Sequence, residues 1–377
     1  MIEPFKSPLY ITKPLLPDIY EINEMIKSIW DSNQLTNNAG MVKRLERDLA
    51  GFLGADYLSV FSSGTTALEI AYKILRLSGE VITTPFTFAA TITSLMWNNL
   101  KPVFCDIEED TLNINPDKIE ALITKDTTAI MPVHVFGNPC NAEKIQQIAD
   151  KYNLSVLYDA AHAFGVKTGG KSVSSFGDVS MLSFHATKVY HTIEGGALVY
   201  NKPGLKERAD FLRNFGLQDG GNVIEPGING KLNEVQAAVG ILVLKKAEGE
   251  IGRRKVLTNL YRELLAEVPG ITAGKDLEGV THNYAYFVIR VDRDIYGLSR
   301  DELFDRLREY NVISRKYFYP LCSNFQCCKD ILSASRSMLP VANKAAEEVL
   351  ALPLHGRLTD GDVEKICEII KYARQKI

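Results

Sequence analysis

Between Asp18 and Trp30 the chain carries apolar residues at Ile19, Ile22, Ile26 and Ile29, close to the helical period, and residues 42–53 repeat that amphipathic pattern. Residues 57–62 (YLSVFS) read instead as a short buried strand. They lead through Ser63-Gly64-Thr65-Thr66 into the periodic stretch ALEIAYKIL. Strand, glycine turn and helix in that order open a parallel α/β unit. The unit recurs, with strands predicted at 80–84, 101–106, 128–134 and 155–159 and helices at TFAATITSLMW and NAEKIQQIADKY between them. Further strands at 179–183 and 196–200, the last a candidate antiparallel edge, bring the count to seven. This alternation argues for an α/β fold with one mostly parallel sheet covered on both faces. After Gly240 the texture changes. A long charged helix from Leu242 to about Glu267, a loop (PGITAGKDLEG), strands at 284–290 and 312–317, the helix DELFDRLREY and closing helices at 343–350 and 360–372 predict a smaller α+β domain. Residues 1–250, with the N-terminal segment, are expected to form the large domain and residues 251–377 the small one.

A chain of 377 residues suffices for one large core and part of a second. With 46% apolar and 24% charged residues its composition is that of an ordinary globular protein. The 43 basic and 46 acidic side chains are interspersed and sum to −3, leaving no basic stripe or tail for nucleic acid or an anionic membrane. Cys105, Cys140, Cys322, Cys327, Cys328 and Cys367 show no disulfide-scaffold spacing and are expected as free thiols. Companion ligands for a metal are missing around the Cys322, Cys327 and Cys328 group, so no metal is expected. Prolines interrupt the opening MIEPFKSPLYITKPLLP where a signal peptide has its apolar helix, and no run reaches the ~20 apolar residues of a membrane span. The expected location is cytoplasmic.

Three segments carry candidate chemistry. In SFHATKVYHTIEGGALVY, residues 183–200, Lys188 lies between an apolar strand and a glycine pair. Lysines usually face solvent, but one aimed into a cleft loses its proton through desolvation and becomes fit for Schiff-base chemistry. In Tyr158-Asp159-Ala160-Ala161-His162 the aspartate ends a predicted parallel strand, where ligands gather in open α/β sheets. It either caps the next helix or holds a protonated ring nitrogen of a cofactor. The Ser62–Thr66 turn offers backbone N–H groups and hydroxyls at a helix N-terminus, an anion site suited to a phosphate, or simply a cap. There is no GxxxxGKS, which excludes a nucleotide-triphosphate loop of that type.

Together these segments resemble the sugar aminotransferases of the DegT/DnrJ/EryC1/StrS family, with an aspartate-aminotransferase-like (type I) fold. The resemblance runs from Leu35-Thr36-Asn37 to LPLHGRLTDGDV near the C-terminus. It implies pyridoxal 5'-phosphate as cofactor and Lys188 as the catalytic lysine that binds it. It also implies Asp159 at the pyridine nitrogen, His162 at the phenolic oxygen, Phe88 over the ring, and Gly64, Thr65 and Ser183 at the phosphate. Asn229 would reach the phosphate of a neighbouring subunit, making the protein a homodimer with shared active sites. At Gly230-Lys231 the chain departs from relatives that carry an aromatic residue and an arginine. The plain alternatives are a packed histidine at 162, a core phenylalanine at 88 and a turn asparagine at 229.

The family generally moves nitrogen from L-glutamate to a nucleotide-linked keto sugar. HATKVYHTIEGG, with Glu194, and SRKYFYP, residues 314–320, resemble members acting at C4 of dTDP-4-keto-6-deoxyglucose rather than at C3. Arg213 and Lys316 are then candidates for the diphosphate, and His185, Tyr317 and Tyr319 for the hexose. Their ordinary readings are solvent-facing charge and interface packing. Rival classes are a C3 sugar aminotransferase, another enzyme on the same cofactor, and a non-enzymatic sensor on the same fold. A family branch with histidine in place of the lysine dehydrates sugars, and retention of Lys188 points away from it.

Overall fold

The computed structural model describes residues 2–218 and 221–375. Local signals set the helix starts. Asp18 accepts from Tyr20 N–H at 2.8 Å to begin α1 (Ile19–Ser32), Ser63 caps α3 (Gly64–Ile74), and Asn141 caps α5 (Ala142–Tyr152). Between them lie α2 (Gly40–Leu53) and α4 (Ala89–Trp97), and α6 (Pro203–Leu212) follows further along the chain.

The seven predicted strands are present: β1 (Tyr57–Phe61), β2 (Glu80–Thr83), β3 (Lys101–Phe104), β4 (Thr127–Met131), β5 (Ser155–Asp159), β6 (Val179–Ser183) and β7 (Gly196–Tyr200). They form one sheet in the order β1-β7-β6-β5-β4-β2-β3. All pairings are parallel except those of β7, which runs antiparallel to both β1 and β6. The edge expected at β7 is therefore corrected: β7 is interior and β1 is the edge. Every residue of GALVY is buried, as a strand paired on both sides requires.

Other differences concern where elements begin and end. The single charged helix expected from Leu242 is two, α7 (Glu234–Leu244) and α8 (Ala247–Leu265), broken at Lys245-Lys246. Helix α7 is apolar nearly all round because it is sunk in the core, so it shows no amphipathic stripe. The expected loop at 269–279 contains β8 (Ile271–Ala273), which pairs with β9 (Phe287–Val291). The helix expected at 343–350 ends earlier, as α10 (Pro340–Glu348), and its tail becomes β10 (Val349–Leu352) on the other side of β9. Between these elements lies α9 (Arg300–Glu309), and α11 (Asp360–Gln375) closes the chain.

Helix α8 links the two cores. Ala247 packs with the large sheet, whereas Leu257, Tyr261 and Leu265 pack with β9, β10 and α11. The opening residues, grouped by sequence with the large domain, join this second core. Leu9-Tyr10 pairs in parallel with Val312-Ile313, and Leu9 is buried there. A further apolar cluster joins Phe86 and Val133 of the sheet region to Phe318, Leu321 and Val349. No helix among the described residues is long and apolar enough to cross a membrane.

Candidate active site

The carboxyl ends of β1, β5 and β6 converge on a cavity of about 300 Å³. After β1 the chain turns into α3, and the Ser63 hydroxyl accepts from Thr66 N–H at 3.0 Å. Gly64 and Thr65 occupy the first turn, whose N–H groups have no partner within a helix. Both residues line the cavity. A side chain at Gly64 would press against Ser183, with Cβ 3.3 Å from the Ser183 Cβ. One at Gly196 would stand 2.7 Å from the Gly64 Cα. The glycine of the Ser-Gly-Thr turn and the second of the glycine pair thus let β1, β6 and β7 come together beneath an anion-sized recess.

Asp159 ends β5 and is 4% exposed. Its Oδ2 accepts from Thr91 Oγ1 at 2.8 Å, its Oδ1 from Ala161 N–H at 3.0 Å, and Thr91 is in turn 2.8 Å from Thr87 Oγ1. Burial raises the carboxyl above the usual range, opposed by these two hydrogen bonds and by Lys188. Lys188 lies in the loop after β6, held where its N–H donates to His185 O at 2.9 Å and Thr192 N–H donates to Phe184 O at 3.0 Å. Its amine makes no hydrogen bond or ion pair among the described residues. Burial pulls the Lys188 pKa down, with Tyr317 and Asp159 acting in the opposite direction.

His162 is buried, and burial together with Lys188 holds its pKa well below the usual value, so the ring is neutral. Its Nδ1 accepts from Phe136 N–H at 3.2 Å, which leaves Nε2 as the protonated nitrogen. Parallel rings of Phe136 and Phe318, with centroids at 6.2 and 6.0 Å, fix the imidazole plane. Phe88, 57% exposed, and Ser183 also line the cavity. At its mouth His185 Nε2 is 3.5 Å from Glu194 Oε1. On the opposite wall the Arg315 guanidinium donates to the Tyr317 hydroxyl at 2.6 Å.

Four expected contacts stand elsewhere. Arg213 is corrected: it is 3% exposed, and its guanidinium is taken up by Glu46 at 2.7 Å, Asp210 at 2.8 Å and Val60 O at 2.6 Å. Lys316 is engaged with Asp301 at 2.7 Å and lies over the Phe304 ring, and the exposed Tyr319 ring lies under Arg300. None of the three lines the cavity. Asn229 is exposed and outside this chain's own cavity.

Sequence reasoning missed Thr91, one turn after Thr87 in TFAAT, and Arg315, inside the SRKYFYP segment. No carboxylate pairs with Arg315 among the described residues, so its charge is free for a ligand. Thr91→Val is expected to remove a hydrogen bond worth about 1.5–3 kcal/mol to the carboxylate. Because that bond favours the charged form, its loss raises the Asp159 pKa further. The acid limb of the activity–pH profile should move to higher pH, with about a tenfold lower kcat; an unmoved limb counts against Thr91 as a positioning residue.

A buried carboxylate, an unpaired amine and a helix-terminal anion recess, gathered at the carboxyl edge of a doubly covered sheet, define an α/β enzyme of the aspartate-aminotransferase-like class. The chain belongs to the DegT/DnrJ/EryC1/StrS aminotransferase family, whose model matches residues 18–371. It is 44% identical over 361 residues to the dTDP-4-amino-4,6-dideoxy-D-glucose transaminase of Escherichia coli, covering 96% of this chain and 97% of that one. To the enzyme of the same name from Shigella dysenteriae it is 45% identical over 366 residues, covering 97% and 99%. Among solved structures, DesI in the presence of its TDP-sugar product matches with a TM-score of 0.95 at 32% identity, over 99% of this chain and 95% of that one. Aminotransferases of this family depend on pyridoxal 5'-phosphate.

Proposed function

We propose that this protein transfers an amino group from L-glutamate to C4 of dTDP-4-keto-6-deoxy-D-glucose, yielding dTDP-4-amino-4,6-dideoxy-D-glucose and 2-oxoglutarate. The observation that carries this reading is the convergence of Lys188, Asp159 and the Gly64-Thr65 turn on one cavity. Near-full-length similarity to the two transaminases supports the sugar and the position of the new nitrogen.

These residues fit pyridoxal 5'-phosphate. The first-turn N–H groups of α3 and the Ser183 hydroxyl suit its phosphate, Asp159 suits a protonated ring nitrogen, and the Lys188 amine suits its aldehyde. When bound, this cofactor supplies an electron sink for carbanion chemistry. Thr91 and Ala161 hold the Asp159 carboxylate in place. His162, neutral and protonated on Nε2, has a hydrogen-bond donor to offer the cofactor's phenolic oxygen, and Phe88 offers a ring face. Lys188 Nζ, favoured as the free amine by its burial, removes the proton from the glutamate α-carbon. In the second half it delivers a proton to C4 of the sugar.

Arg315 gives the cavity a cation for an anionic substrate group, either the donor's α-carboxylate or the sugar diphosphate. Arg315→Ala should raise KM for one of the two by roughly tenfold. Separate titration of glutamate and sugar nucleotide identifies which, and two unchanged KM values would refute the assignment. His185, Tyr317 and Glu194 are then left to meet the hexose.

Sharing of the site between two subunits is part of the same reading. Exposed Phe215, Ile224 and Ile228 flank Asn229 and form an apolar surface suited to burial against a second copy.

The test is incubation with glutamate and dTDP-4-keto-6-deoxyglucose, followed by NMR of the sugar. Nitrogen on C4 supports the proposal, nitrogen on C3 places the enzyme with the C3 aminotransferases, and no amino sugar in the presence of bound cofactor sinks the substrate assignment.

A further inference from the structure

Three of the six thiols gather just after the cavity-lining Tyr317 and Phe318. Cys327 is exposed, Cys322 and Cys328 are buried, and Cys327 Sγ lies 3.9 Å from Cys328 Sγ. Tight turns make this stretch one unit, because Phe325 N–H donates to Cys322 O at 3.1 Å and Cys328 N–H to Phe325 O at 2.8 Å. The unit is tied to the loop preceding α4. Cys322 N–H donates to Pro85 O at 3.0 Å and its thiol to Thr87 O at 3.2 Å. From Thr87 the contacts continue through Thr91 to Asp159. A path of bonded and packed groups therefore runs from an exposed thiol to the buried carboxylate, and neither Cys327 nor Cys328 has a part in amino transfer.

We propose that Cys327 and Cys328 form a modification site for small disulfide oxidants, at which the pair closes to a disulfide and slows the enzyme. The Cys327 thiolate attacks one sulfur of the oxidant, and the other sulfur leaves as a thiolate. The Cys328 thiol then loses its proton and attacks Cys327 Sγ, expelling the second thiolate. The cysteine pair gives up two electrons and two protons, and the oxidant is reduced to two thiols. Exposure makes Cys327 the first to react. Burial and the neighbouring Cys327 push the Cys328 thiol up to about 12, which suits it only to the second, intramolecular step.

Adjacent Cα atoms are about 3.8 Å apart, closer than the roughly 4.4–6.8 Å across a relaxed disulfide. Closure therefore reshapes the turn at Gln326–Cys328 and leaves a bond that thiols readily reduce. Displacement of this turn reaches Cys322, and through it the Thr87 carbonyl.

The experiment treats the whole protein with oxidised glutathione, maps peptides by mass without reduction, and measures aminotransferase activity before and after dithiothreitol. The chemical readout does not depend on which sugar is the acceptor. The expected result is loss of two hydrogens from the peptide holding these cysteines, with kcat lower by roughly tenfold, both reversed by the reductant. Cys328→Ser, fully active when reduced, should stop at a glutathione adduct on Cys327, and Cys327→Ser should resist. Glutathione resting on wild-type Cys327 without closure overturns the proposal. So does a cross-link that persists in Cys327→Ser, which would run through Cys322, and so does closure with unchanged kcat.

Discussion

Lys188→Ala is expected to lower kcat by at least about 10²–10⁴-fold, the range for loss of a positioned general acid–base group. The expectation rests on the amine lining the cavity with no hydrogen bond or ion pair among the described residues. Two cavity-lining groups that could otherwise accept the proton are already engaged: the Asp159 carboxylate by Thr91 and Ala161, and His162 Nδ1 by a backbone N–H. The variant should still retain cofactor, because the phosphate recess and Asp159 are untouched. Absorbance after mixing with glutamate is the measurement: the wild type should convert to the aminated cofactor within a turnover and the variant should not. A variant within tenfold of wild type would remove Lys188 from the mechanism.

Asp159→Asn should cost about 10²–10³-fold in kcat, the scale for removing one preorganised electrostatic partner. Its effect on stability should be of opposite character. Burial raises the Asp159 pKa, so above the ordinary carboxylate range the buried acid opposes folding of the cofactor-free protein, and a neutral amide of the same shape relieves that cost. The cofactor-free variant should therefore melt no lower than wild type, while the gain in Tm on adding cofactor shrinks because the ring nitrogen has lost its counter-charge. Wild-type activity in a well-folded Asn variant would show that Asp159 has only a structural role.

Much of the site could be read from sequence because its parts sit at chain punctuation. Ser63-Gly64-Thr65 follows a strand and starts a helix, and Asp159 is the last residue of a strand. Those positions follow from local pattern and the geometry of parallel sheets. Thr91 was hidden because a threonine one turn into a helix looks the same whether it bonds its own backbone or a carboxylate 68 positions away. Arg213 misled for the converse reason: a charged residue in FLRNFG gives no sign that Glu46, far upstream, will neutralise it in the interior. Arg315 lay within a segment already singled out, yet only the fold shows that no carboxylate among the described residues pairs with its guanidinium, which donates to the Tyr317 hydroxyl instead. In the fold, burial erases the periodicity at α7 and β10, while the short strand β8 and the interior place of β7 depend on pairings with distant strands that local pattern does not carry.

The interior position of β7 also bears on how the protein is made. Strand β1 emerges early, yet its sole partner in the sheet is β7, the last of the seven strands to be synthesised. Until then the apolar run YLSVF has an unpaired edge, a template for joining another nascent chain. Closure of β7 between β1 and β6 covers that edge and draws the Gly64 turn up to Ser183 in the same event. Chains cut short before residue 200 should therefore aggregate and take up no cofactor, even though they already contain Lys188 and Asp159.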